Sequence, residues 1–79
     1  MIKTIFEIVE LIRMINVNTI MRINHEIDQN SILIAVHDCY GLIKRKELNF
    51  ESSDWEVKSE ELLNYLRQLL DEEQKGGGT

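Results

Sequence analysis

From Met21 to Asp28 the chain alternates without a break, with Met21, Ile23, His25 and Ile27 set against Arg22, Asn24, Glu26 and Asp28. A period of two belongs to a strand with one face turned toward an apolar layer. The next run, Ser31 to Val36, is apolar at nearly every position, and Gln29–Asn30 separates the two. A two-residue hairpin loop there fixes the register, since a slip of one residue would turn every side chain to the other face. The loop pairs Ile27 with Ile32, His25 with Ile34 and Ile23 with Val36, so both strands present the same side to the core. Leu33 and Ala35 make the other face of the second strand apolar as well. That is expected of a central strand covered in part on both sides, or of one with an adhesive outer face.

What covers the hairpin must come from the flanking segments. Thr4-Ile5-Phe6-Glu7 has the form of a capping box, in which the threonine oxygen and the glutamate each satisfy a free backbone amide. Ile5, Ile8, Val9, Ile12 and Ile15 then recur at helical spacing, opposite a narrow stripe of Lys3, Glu7, Glu10 and Met14. Asn16-Val17-Asn18 is expected to end this helix through an asparagine in the left-handed conformation. A third strand is expected within Leu42 to Glu51, with Leu48 and Phe50 inward. Lys44-Arg45-Lys46 interrupts its alternation, which predicts a bulge or an edge position. Glu51-Ser52-Ser53-Asp54 reads as a turn, and Trp55-Glu56-Val57 as a short fourth strand or an approach to the last helix. Ser59 is the expected N-cap of that helix, with Glu60 and Glu61 in its first turn. Leu62, Leu63, Leu66, Leu69 and Leu70 supply its apolar stripe.

The pattern predicts a two-layer α+β domain in the order α-β-β-β-(β)-α. Its antiparallel sheet has three or four strands, and both helices lie on one face. Residues 1–75 form the single domain, and the glycines at 76–79 a flexible tail.

Composition narrows the function. A net charge of −5 argues against general nucleic-acid binding, which depends on cations replacing the counterions of phosphates. Acidic surfaces favour basic partners. Cys39 is the one cysteine, so no internal disulfide and no Cys-x-x-Cys zinc clip can form. With no leader to read, a reducing cytoplasm, of a bacterium or of an infected host cell, is the expected setting. The apolar run Ile2 to Ile15 contains Lys3, Glu7, Glu10 and Arg13 and is too short for a membrane span. Eleven isoleucines and six asparagines against one alanine and no proline suggest AT-rich coding, as in a low-GC bacterium or its phages and plasmids.

Reactive residue types crowd into His37-Asp38-Cys39. A cysteine nucleophile needs a nearby base and a group to orient it, and consecutive strand residues point to opposite faces. His37 and Cys39 supply two metal ligands where zinc wants three or four, and the register puts His25 on the inner face and His37 on the outer. The expectation is no catalytic residue, no metal and no cofactor, with Cys39 small and half-buried at a turn formed by Tyr40-Gly41.

The helix, three strands and helix resemble the double-stranded RNA-binding family in element order, and Lys44, Arg45 and Lys46 would be the phosphate contacts. The resemblance implies lysines at the start of the second helix, where this chain has Glu60 and Glu61.

What remains is a protein-binding surface formed by Glu47, Glu51, Asp54, Trp55, Glu56, Glu60 and Glu61, with a second acidic run at Asp71, Glu72 and Glu73. The expected function is a non-enzymatic regulatory module for a partner with a basic surface. In its sharper form it inhibits a nucleic-acid-handling enzyme, by analogy of size and charge with some anti-CRISPR proteins. The alternative is a homodimer or larger assembly, built on the outer face of Leu33 and Ala35 and on the wide apolar face of the first helix.

Overall fold

The computed structural model describes residues 2–77, with side chains as far as Glu72. Helix α1 (Ile2–Asn18) leads into strands β1 (Arg22–Ile27), β2 (Ser31–Asp38) and β3 (Gly41–Asn49), and helix α2 (Trp55–Gly77) follows. The strands form one antiparallel sheet in the order β1-β2-β3. The β1–β2 register is the expected one, with Ile23 opposite Val36, His25 opposite Ile34 and Ile27 opposite Ile32.

Ile23, Ile32, Ile34, Val36 and Leu48 share one face of the sheet by this register. They join Ile8, Ile12 and Ile15 of α1, Leu62, Leu63 and Leu66 of α2, and Met21 and Phe50 in a single buried cluster. Removing side chains of this size from water stabilises the fold by about 1.5–3 kcal/mol each. β2 alternates buried with half-buried along its length, so its outer face, Leu33 and Ala35 included, is shielded only by neighbours within the sheet. The backbone ladder extends one residue beyond β3, through a 2.7 Å bond from the Phe50 amide to the Asn30 carbonyl. Phe50 thereby keeps its inward position.

Several local expectations need correction. α1 already runs from Ile2, so Thr4 lies inside it and the capping box is not its start. At the other end, no described residue but Gly41 has a positive φ, and the asparagines therefore do not stop the helix in the left-handed region. The last helical bond is from the Thr19 amide to the Ile15 carbonyl (3.0 Å), and the Thr19 hydroxyl then turns the chain, donating to that carbonyl (2.7 Å) and accepting from the Met21 amide (3.0 Å). Asn16 has a different task. Its side-chain amide accepts from the Ile23 amide (2.7 Å) and donates to the Ile23 carbonyl (3.0 Å), taking the place of a neighbouring strand at the edge of β1.

His25 and Ile27 carry the inward register but are exposed. α1 meets β1 at Ile23, and the strand runs on past that crossing. Trp55-Glu56-Val57 is the first turn of α2, so the expected fourth strand does not form there, and the sheet has three strands among the described residues. Asp54 rather than Ser59 caps α2, since its carbonyl accepts the first helical bond from the Lys58 amide at 3.0 Å. Ser59 is buried one turn inside, donating to the Glu56 carbonyl at 2.8 Å. α2 continues to Gly77, two residues into the stretch expected to be an irregular tail; 78 and 79 lie outside the described residues.

The β2–β3 turn is Cys39–Tyr40, one residue earlier than expected, with Asp38 opposite Gly41. The Asp38 carboxylate accepts from the Tyr40 amide at 2.7 Å, and Gly41 leaves the turn at φ 126°, a conformation that suits glycine. β3 is both bulged and at an edge. Val36 faces Lys44 and His37 faces Leu42, so Ile43 is the extra residue.

Candidate binding surfaces

The residues expected to bind a partner fall into three groups. Glu56, Glu60 and Glu61 come together on the exposed side of the first turns of α2. With Val57 and Asn64 they line a shallow hollow of about 380 Å³. Val57, 60% exposed, is its apolar centre. Glu56 and Glu60 are four residues apart, a like-charge spacing that costs a helix a few tenths of a kcal/mol. No described cation forms an ion pair with these three carboxylates; the ion pair seen among the described residues is Arg13–Glu10 on α1, at 2.6 Å.

Glu47 lies elsewhere, opposite Leu33 on the outer face of the sheet. It shares a smaller hollow of about 150 Å³ with Lys46, Lys58 and Glu61, where the charges are mixed. Glu51 and Asp54 belong to the turn that launches α2. The Glu51 amide donates to the Asn49 side chain at 2.9 Å, and the Ser52 hydroxyl donates to the Asp54 carboxylate. That hydroxyl is the main reason Asp54 is held below the usual carboxylate range. Trp55 packs its ring edge-on to Phe50, centroids 5.9 Å apart, and leans on the core instead of standing free.

The basic triplet divides between the faces of β3. Lys44 and Lys46 reach over the Tyr65 ring of α2, their Nζ atoms 5.0 and 5.1 Å from its centroid. Two cations on one ring join the edge of the sheet to the helix, each contributing about 0.5–1 kcal/mol at such exposure. Arg45 points the other way, opposite Ala35. There Asn24, Glu26, Leu33, Ala35, His37 and Arg45 border a hollow of about 280 Å³ on the uncovered sheet face. Its floor is the one alanine of the chain, and Nδ1 of His37 is buried there without a hydrogen-bond partner. The apolar outer face is legible in the sequence but this depression is not, because Asn24 and Arg45 join it only through the three-stranded register.

Cys39 is exposed in the hairpin turn, not half-buried, and the Asp38 carboxylate is occupied by the turn. Among the described residues no three His, Cys, Asp or Glu side chains gather in the manner of a metal site, and no helix is long and apolar enough to cross a membrane.

A further surface lies on α1. Ile2, Phe6 and Val17 are 72%, 70% and 70% exposed, and Ile20 just beyond the helix 69%. The solvent side of α1 therefore carries Lys3 and Glu10 of the expected stripe, whose Glu7 and Met14 are half-buried, and beside them Arg13 and the unexpected apolar set Ile2, Phe6 and Val17. Comparison of the chain with models of known families, with curated proteins and with solved structures finds no match.

Proposed function

We propose that the protein is a non-enzymatic binding module that docks the basic surface of another protein on the N-terminal half of α2. The observation that supports this reading is the gathering of Glu56, Glu60 and Glu61 around exposed Val57, none of them in an ion pair with a described cation, although Lys46 and Lys58 border Glu61 on its other side. Carboxylates spaced along a helix attract a basic patch and steer its approach, while an apolar residue among them gives the contact a desolvated centre. In its sharper form the partner is a nucleic-acid-handling enzyme of a bacterial or infected cytoplasm, whose basic groove takes the carboxylates in place of phosphates. The order α-β-β-β-α is shared with the double-stranded RNA-binding fold, but three carboxylates at the start of α2 would repel the phosphates that such a domain contacts. The RNA reading is accordingly the weaker one.

The test is affinity capture from a cell lysate with the wild-type chain and with Glu56→Lys/Glu60→Lys/Glu61→Lys. All three positions are exposed, so circular dichroism should show both proteins folded. Recovery of a specific partner is expected to fall at least tenfold in the variant. Equal recovery by the two proteins would overturn the proposal.

A further inference from the structure

We propose that α1 pairs antiparallel with α1 of a second copy of the chain, along the stripe formed by Ile2, Phe6 and Val17. At 100° per residue, positions 2, 6, 13 and 17 fall within a sector of about 60° on the helix surface, so the three exposed apolar side chains and Arg13 form one line. Ile20, also exposed, follows just beyond the last turn.

The line is self-complementary when reversed. Setting Phe6 against the second copy's Val17 brings Glu10 against its Arg13, and Ile2 and Lys3 alongside its Ile20. Phe6 then meets Val17, and Glu10 and Arg13 each meet their opposite charge, while Lys3 lies to one side of the line beside Ile20. Glu10 and Arg13 already bond within one chain at 2.6 Å, and the two-fold axis doubles that pair into a ring of four alternating charges. A two-fold interface requires this property, because the same patch must serve both partners. A parallel arrangement lacks it, since Glu10 would face Glu10 and Arg13 would face Arg13.

The seam is one helix wide, short of the ~800 Å² per partner of a standard interface. The dimer is therefore expected to form in the micromolar range and to exchange. It goes beyond the proposed partner site, because α2 and its carboxylates stay free in the pair.

Two measurements test it. In sedimentation equilibrium at 10–200 µM (order of magnitude set by that interface size), the wild-type chain should approach twice its 9.3 kDa mass. Phe6→Glu, at an exposed position that does not disturb the core, should weaken association at least tenfold and keep its circular dichroism. A chain that stays monomeric at the highest concentration would give this face to some other occupant and overturn the proposal. So would Phe6→Glu associating as strongly as wild type, or a mass that climbs beyond the dimer.

The second measurement reads the direction. With Cys39 replaced by serine, Phe6→Cys mixed with Val17→Cys should form a disulfide-linked heterodimer on mild oxidation. Phe6→Cys alone should not crosslink, because its two sulfurs would sit about 16 Å apart along the axis at 1.5 Å per residue. Crosslinking of Phe6→Cys to itself, with none in the mixture, would overturn the antiparallel register. Neither readout depends on the lysate partner, so failure of one proposal leaves the other standing.

Discussion

Asn16 shows how much one side chain can decide. Its amide has one donor and one acceptor side in the spacing of a peptide unit, and it meets both backbone groups of Ile23 at 2.7 and 3.0 Å. The free edge of β1 is thus closed at one point by the helix that precedes it, which also discourages pairing with a foreign strand there. Asn16→Ala leaves both Ile23 groups without their partner in a half-buried place, a loss of about 1–3 kcal/mol. The expected result is a lower urea midpoint at unchanged slope, together with faster hydrogen exchange at the Ile23 amide than elsewhere in β1. Nothing in the sequence announces this role. An asparagine near a helix end reads first as a stop, and only the crossing of α1 over Ile23 makes it a clasp. The mistaken caps at Thr4 and Ser59 have the same origin, since capping residues also serve inside helices when their hydroxyls find a carbonyl, as Ser59 does at Glu56.

Among the elements, β2 carries the most, because its inner side chains Ile32, Ile34 and Val36 are all fully buried while Leu33 and Ala35 behind them are not. Neighbouring residues of one strand should therefore respond very differently. Ile34→Ala is expected to cost about 2–5 kcal/mol, comparable with the whole stability of a chain this small, whereas Leu33→Ala should cost well under half of that. Thermal unfolding followed by circular dichroism distinguishes the two. This hairpin was legible beforehand, since the Ile23–Val36 and Ile27–Ile32 pairs follow from alternation and a two-residue loop alone. Which of its inward residues would be covered was not, because His25 and Ile27 depend on where α1 crosses. The candidate site divides similarly. Glu56, Glu60 and Glu61 were visible as charges, but their separation from Glu47, Glu51 and Asp54 required knowing that α2 begins at Trp55.

Across the whole molecule, the sheet and α2 are joined at β3 by Lys44 and Lys46 on the Tyr65 ring. Burial pushes the Tyr65 hydroxyl above the usual tyrosine range, because the phenolate is the form that loses hydration. A group whose pKa is raised on folding contributes its stability in full below the unfolded value, about 10. That contribution is lost as the pH climbs through the higher folded value. Denaturation midpoints should thus decline above about pH 10, and Tyr65→Phe should flatten the decline; an identical slope in the two proteins would remove Tyr65 as its cause. The bulge in the same strand bears on how the chain tolerates change in length. Because Ile43 is an extra residue opposite the Val36–His37 step, losing one residue there only regularises the hairpin and leaves Lys44 to Leu48 in phase. A deletion of equal size within Ile32 to Val36 would turn the core strand inside out, so variation in length has one harmless place to occur in this sheet.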